Sequence, residues 1–339
     1  MSLDLPSPYL LFLGDVTEAP FAKTAFGIRD WARDLCVGEH TSSPDAVSLG
    51  LPVLTPAEAA ARGARSMVIG VASFGGSVAP GWVPHLLDAL EAGLDLVSGM
   101  HQKLAEEPAL KAAADRLGRR LIDVRMPPAG LPTATGRKRS GNRLLTVGTD
   151  CALGKKYTAL ALAQAFGKRG LAADFRATGQ TGIIIAGGGI PMDAVVSDFL
   201  AGAAETLTPD ADPDHWDVIE GQGALGHPTY AAVSLGLLHG SQPDVIVLCH
   251  QAGRSHVLGL DEQFALPDPL AAIAVNLRHA RLTNPDVRCG GISLNTGHLD
   301  AEEAERVMDR MSRETRLPCA DPMRGGPRFD ALVTACLAE

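Results

Sequence analysis

The residues best equipped for chemistry form one run, Gly148-Thr149-Asp150-Cys151-Ala152-Leu153-Gly154-Lys155-Lys156. It stands between the apolar stretch Leu144-Leu145-Thr146-Val147 and a segment of helical composition from Tyr157 to Ala163. A strand, a glycine-bounded loop ending in lysine and then a helix make a phosphate-binding loop. Its backbone N–H groups and the positive end of the helix cradle anionic oxygens, and the lysine adds a mobile charge. One position departs from a hydrolytic loop. The Ser or Thr whose hydroxyl would hold Mg²⁺ directly after Lys155 is replaced by Lys156, with Tyr157 next and the nearest hydroxyl at Thr158. The expectation is therefore phosphate binding more than phosphate cleavage.

In open α/β sheets, ligands gather at the carboxyl ends of strands. After the run ending at Arg176 come Thr178, Gln180 and Thr181 among glycines, either as ligand contacts or as two tight turns around a short buried segment. The next apolar run delivers Glu220 and then Gln222. The carboxylate is placed to serve as a base or metal partner, or else to be held passively by nearby amides. His227 follows, as a functional imidazole or as a cap for the next helix. The run 245–250 ends in His250, suited to proton transfer, with Arg254 just beyond, suited to a two-point grip on a carboxylate. Asn295 closes the last strand, lining a pocket or starting a cap. Cys151, at a helix start where a thiol pKa falls, is a conceivable acyl nucleophile or an inward-packed side chain. Gly75, Gly76 and 98–101 occupy similar strand-end positions earlier in the chain.

The elements that must position these groups follow from alternating apolar runs and helical patterns, which imply α/β architecture with mostly parallel sheets. Strands are expected at 9–13, 35–38, 66–71, 94–97 and 121–124, with helices at 56–62, 83–92 and 109–117. A stretch rich in Pro, Gly and basic residues, 127–142, marks a boundary. This divides the chain into a Rossmann-like domain, 1–136, and a phosphate-loop domain, 137–339. In the second, strands are expected at 144–147, 172–176, 216–220, 245–250 and 290–294. Helices are expected at 156–168, 192–205, 230–239, 268–282 and 301–314.

Composition narrows the function classes. The 339 residues suffice for two domains, and 30 basic against 39 acidic residues give a net charge of -9. That balance argues against nucleic acid as principal partner. The one basic cluster, Arg137-Lys138-Arg139, reads as a linker or as an outer contact to the ligand's phosphates. Six cysteines without C-x-x-C pairing suggest neither a metal centre nor a disulfide framework. No segment reads as a leader or a membrane span, so a cytoplasmic location is expected.

The GTDCALGKK form of the loop resembles the subclass of phosphate-loop proteins that includes dethiobiotin synthetase. A closer resemblance spans nearly the entire chain, through AKTAFGIRDW (22–31), SGMHQKLAEEP (98–108), VGTDCALGKK (147–156), ATGQTGIIIAGGGIPMDAVVSDFLAGAAE (177–205), WDVIEGQGALGHPTYAAVSLGLLHGSQPD (216–244) and GISLNTGHL (291–299). These segments are similar to a bacterial family long catalogued only as a domain of unknown function, some of whose members resemble D-glutamate N-acetyltransferases. The resemblance implies a Rossmann-like N-terminal domain, a P-loop C-terminal domain, acetyl-CoA as donor and an acidic D-amino acid as acceptor.

On that basis the loop 148–156 is expected to hold the phosphates of coenzyme A. Arg254 or Arg176 binds a substrate carboxylate, Glu220 or His250 takes the amine proton, and backbone N–H groups or Gln222 steady the oxyanion. Thr178, Gln180, Thr181, His227 and Asn295 contribute further substrate contacts. The alternatives are an ATP- and Mg²⁺-dependent ligase or kinase acting on a small carboxylate, or a non-catalytic protein binding CoA or nucleotide. A homodimer without nucleic-acid or membrane partners is the expected assembly.

Overall fold

The computed structural model describes residues 3–72 and 76–338. Gly75 therefore lies outside the described residues. The chain divides into two compact units: residues up to Met126 together with Gln180–Pro191, and Pro127–Gly179 together with Met192 onward.

The first unit is built on five parallel strands, β1 (Tyr9–Gly14), β2 (Cys36–Thr41), β3 (Ser66–Ile69), β4 (Asp95–Ser98) and β5 (Leu121–Asp123), in the order β2-β1-β3-β4-β5. All six residues of β1 are buried, as expected of a central parallel strand covered on both faces. Its helices are α1 (Lys23–Trp31), α2 (Pro56–Ala61), α3 (Val83–Glu91) and α4 (Pro108–Leu117). Reciprocal bonds between Thr55 and Glu58 start α2, and Gly118 in the left-handed region ends α4. The later segment α6 (Gln180–Ala186) belongs to this unit by its packing against α1, where the Thr24 and Thr181 hydroxyls lie 2.9 Å apart.

The second unit carries six parallel strands, β6 (Asn142–Gly148), β7 (Ala173–Arg176), β8 (Trp216–Ile219), β9 (Val245–Gln251), β10 (Arg288–Asn295) and β11 (Cys319–Ala320), ordered β11-β10-β9-β6-β8-β7. Helices α5 (Lys155–Lys168), α7 (Leu200–Leu207), α8 (Ala231–Ser241), α9 (Pro269–Ala280), α10 (Ala301–Thr315) and α11 (Gly326–Leu337) complete it. Asp268 and Asp300 cap α9 and α10 through their carboxylates. One core packs α5 and α11 against the sheet, with Phe166 edge-on to Trp216 and Leu144, Val218, Val247, Leu332 and Val333 around them.

Two expected features change. The glycine-bracketed apolar segment 180–186 is a helix rather than a pair of turns, and the helix expected over 192–205 is two single 3-10 turns followed by α7. The β-branched pair Val195-Val196, which disfavours helix, separates those turns. The basic cluster before β6 is built into the amino edge of the sheet, opposite the phosphate loop. Arg139 is buried on Thr208 and Gly240, Arg137 pairs with Asp210, and Lys138 pairs with Asp244. Among the described residues no helix is long and apolar enough to cross a membrane.

Replacing Phe166 by Ala empties the centre of this second core and is expected to cost about 3–5 kcal/mol. Urea denaturation should show a lowered midpoint with little change in slope, and an unchanged midpoint would contradict the packing described.

Candidate active site at the phosphate loop

Strand β6 runs into the loop and α5 follows it. Gly154 at φ 108° and Ala152 at φ 54° bend the backbone between them, and no side chain caps the start of α5. The first amides of a helix have no intrahelical acceptors, so this uncapped terminus is open to an anion. Lys155 is only 7% exposed and its Nζ lies 2.7 Å from the Asp150 carbonyl oxygen. Burial pushes its pKa down, with the nearby Cys151, Cys249, Asp150 and Glu220 opposing. Gly148 makes room for it, since a Cβ there would stand 3.1 Å from Nζ. Leu153 is buried beneath the loop, while Cys151 is partly exposed.

No hydroxyl directly follows Lys155, and that of Thr158 does not substitute for it. Thr158 is buried, with its Oγ1 2.7 Å from the Ser293 hydroxyl and 3.5 Å from Cys249 Sγ. Lys156, in the position of the usual hydroxyl, places its ammonium 5.0 Å from the Tyr157 ring centroid.

Beside the loop, Glu220 is 4% exposed and its Oε2 accepts the amides of Thr178 at 3.0 Å and Gly179 at 3.1 Å. Burial pushes this carboxyl above its ordinary value, opposed by the Thr178 amide, Lys156, the Gly179 amide and Lys155. The Thr178 hydroxyl donates to the Glu220 carbonyl at 2.6 Å and accepts from Gln222 Nε2 at 3.1 Å. A Cβ at Gly179 would come within 2.6 Å of that Gln222 nitrogen and 3.3 Å of Glu220 Oε1. Glycine there is what lets amide and carboxylate converge. Gly221 is tighter still, because its Cβ would sit 1.7 Å from the Thr146 carbonyl oxygen where β8 and β6 adjoin.

Asp150 is fully buried and works inward. Its Oδ1 accepts the Cys151 amide at 2.6 Å, and its Oδ2 meets Arg254 at 3.2 Å and the Leu258 amide at 2.9 Å. Arg254 also donates to the Cys151 carbonyl at 3.0 Å. His227 Nδ1 faces the amides of Thr229 at 3.0 Å and Tyr230 at 3.3 Å, so the ring proton belongs on Nε2, which lies 3.7 Å from Asp150 Oδ1. On the other side, His250 Nδ1 is 2.8 Å from the Thr149 hydroxyl, and burial followed by Arg254 pushes its pKa down. Asn295 ends β10 with Oδ1 on the Gly297 amide.

The structure thus gathers 148–156, Glu220, Gln222, His227, His250 and Arg254 around one loop, and it redistributes other expected contacts. Arg176 reaches Asp217 at 2.6 Å and Asp174 at 3.2 Å, toward the amino halves of β8 and β7, which takes its guanidinium away from the loop edge. Thr178 is wholly buried, so it holds Glu220 and has no surface for substrate. Gln180 and Thr181 are packed in the first unit, Gln180 against Gly99. Arg254 is engaged by Asp150, a pairing across 104 residues that no local pattern foretells. Thr146, which no motif singles out, accepts the Gly221 amide on its hydroxyl at 2.9 Å and ties the strand ends below the loop.

Two clusters bring potential metal-ligating atoms within 4.8 Å of one another, Asp150-Cys151-His227 and Asp174-His215-Asp217. In both, a guanidinium already pairs with a buried carboxylate, Arg254 with Asp150 and Arg176 with Asp217.

Comparison with known proteins agrees with this two-part layout. Residues 36–127 match the Rossmann-like DUF1611_N domain of unknown function, and 132–333 match the P-loop DUF1611_C domain of unknown function. A curated protein of Pseudoalteromonas named D-glutamate N-acetyltransferase is 45% identical over 98% of this chain and 99% of its own. One of the same name from Tritonibacter scottomollicae is 48% identical over 95% of this chain and 96% of its own. The crystal structure of a DUF1611 family protein from Anabaena variabilis ATCC 29413 superposes with a TM-score of 0.87 at 33% identity, covering 98% of this chain and 99% of that one.

Substituting Gly221 by Ala should force β8 from β6 and cost on the order of 1–3 kcal/mol. Gly226, whose Cβ would meet nothing closer than 3.7 Å, is the control. Thermal unfolding should separate the two alanine variants, and equal midpoints would show that the close approach is unimportant.

Proposed function

Because this chain belongs to the DUF1611 family, we propose that it is a D-glutamate N-acetyltransferase that takes its acetyl group from acetyl-CoA. The full-length similarity to two curated proteins of that name supports the activity. One feature of the site carries the choice of donor. The loop keeps its lysine and its uncapped helix terminus but has Lys156 where the metal-binding hydroxyl would stand, and the first Thr hydroxyl after it, that of Thr158, is directed into the sheet. Such a loop suits the pyrophosphate of coenzyme A, which has to be held and not cleaved.

The acceptor amine is an ammonium near neutral pH and must lose a proton before attack. Glu220 is the base in this reading, because burial makes its carboxylate more basic than an exposed one. The first amine proton passes to Glu220 and the nitrogen attacks the thioester carbonyl carbon. The C–N bond forms, the C–S bond breaks, and the second nitrogen proton goes to the departing thiolate. Gln222, next to the carboxylate, donates toward the developing oxyanion, while Lys155 and Lys156 offset donor charge. His250 is a further basic group at the loop, and burial, then Arg254, pushes the pKa of its imidazole down, which favours the neutral form.

Thiol release from acetyl-CoA with D-glutamate, L-glutamate or no acceptor, in the absence of ATP and Mg²⁺, tests the reading. Release dependent on D-glutamate is expected. No release, with phosphate appearing once Mg-ATP is supplied, would assign the loop to an ATP-dependent enzyme. Glu220→Gln should lower kcat by roughly 10²- to 10⁴-fold with CoA affinity nearly kept. In the wild type, kcat should fall as pH drops through the raised Glu220 pKa, so this acid limb lies above the ordinary carboxylate range and is absent from the variant's residual rate. Wild-type kinetics in the Gln variant would move the base elsewhere.

A further inference from the structure

Asp150 is an anion set inside an anion-binding loop, and its surroundings explain how that is tolerated. The carboxylate has no exposed surface and is divided between the Cys151 amide, the Leu258 amide and the Arg254 guanidinium, with His227 Nε2 at 3.7 Å. Its partners lie on three separate segments: the phosphate loop, the turn after β8, and the stretch following β9. Arg254 completes a second tie by donating to the carbonyl of Cys151, the residue next to Asp150. One guanidinium therefore grips both a side chain and a backbone oxygen of the loop. Both bonds come from Nη1, while Nη2 donates to the Gln251 side chain, so a planar guanidinium held at both terminal nitrogens fixes orientation as well as distance.

We propose that the Asp150–Arg254 pair is a latch that sets the phosphate loop in its anion-receiving shape. Asp150 is a positioning residue for acyl-donor binding, not a phosphate contact. Arg254 serves the donor through the loop instead of gripping the acceptor's carboxylate. The carboxylate draws the Cys151 amide and the Arg254 guanidinium inward, and the guanidinium holds the Cys151 carbonyl aside. Both act on the backbone immediately before Ala152, where φ is 54°, so the latch supports a conformation that an L residue rarely adopts. Without the charge on Asp150, Arg254 keeps only the neutral Cys151 carbonyl and Gln251 side chain as partners, and the strained segment relaxes. The identity of the ligand rests on the acetyl-CoA reading; the latch itself requires only that the loop bind phosphates.

A double-mutant cycle with Asp150→Asn, Arg254→Gln and the double variant tests this, with calorimetric affinities for CoA and for inorganic pyrophosphate. Each single change should weaken both ligands roughly tenfold or more, and the double variant should be no weaker than the worse single one. In turnover, KM for acetyl-CoA should rise while kcat and KM for D-glutamate stay within about twofold, a split that general loss of folding would not produce. Unchanged or tighter CoA and pyrophosphate binding in Asp150→Asn would overturn the proposal, as would multiplicative effects. A raised KM for D-glutamate in Arg254→Gln with intact CoA binding would overturn it too, by restoring the acceptor-clamp role. If Asp150→Asn does not fold, Arg254→Lys replaces it in the comparison. It keeps the charge but not the planar guanidinium that joins Asp150, the Cys151 carbonyl and Gln251, and should weaken pyrophosphate as Arg254→Gln does; wild-type affinity there would reject the latch. Because pyrophosphate binding is measured without turnover, absence of acetyl transfer would count against the proposed activity alone.

Discussion

A lysine ammonium held almost out of water at the floor of the phosphate loop is the constraint to which the surrounding structure answers. Lys155 can stay charged there only if oxygen atoms replace its hydration, and the Asp150 carbonyl supplies the nearest one. Around it the domain distributes two buried carboxylates with different neighbours. Asp150 is matched to a guanidinium, while Glu220 is matched only to amides and to the fields of two lysines. The same residue class is thus paired with a cation at one position and held by amides alone at the other, the environment that suits the proton acceptor proposed for Glu220. Environment, not residue type, separates the two roles.

Glycines and small polar groups make this charge arrangement possible in so little space. Gly221 lets β8 end against Thr146, Gly179 lets the Gln222 amide and Glu220 share one backbone surface, and Gly148 leaves room for the ammonium. The Thr146 hydroxyl ties the two strand ends together. Thr158, one turn into α5, is bonded into the sheet through Ser293. A phosphate loop with its lysine retained and its hydroxyl withdrawn keeps the means of binding phosphates without the ordinary means of placing Mg²⁺ on them, in keeping with an acyl donor that enters and leaves with its phosphates intact.

Much of this was legible in the chain. The buried parallel strands write themselves as apolar runs, and the loop is bounded by glycine and lysine, so the two domain types and the cluster of Glu220, His227 and His250 follow from local pattern. Helix α6 was hidden because its glycine neighbours resemble turns, and α1 and α11 because mixed polar and apolar positions blur their period. What no local pattern carries is the choice of ion-pair partner. Arg176 ends one strand and Arg254 follows another, and both look available, yet one pairs with Asp217 on the adjacent strand and the other with Asp150 across the loop. These pairings are set by register and by where the 252–258 segment returns, which are properties of the folded sheet.

The most direct measurement is a crystal structure of the protein with CoA and D-glutamate bound. The CoA pyrophosphate is expected on the amides at the start of α5 and beside Lys155, with the acceptor amine within hydrogen-bonding reach of the Glu220 carboxylate. CoA bound elsewhere with the loop empty, or an amine directed away from Glu220, would contradict this placement.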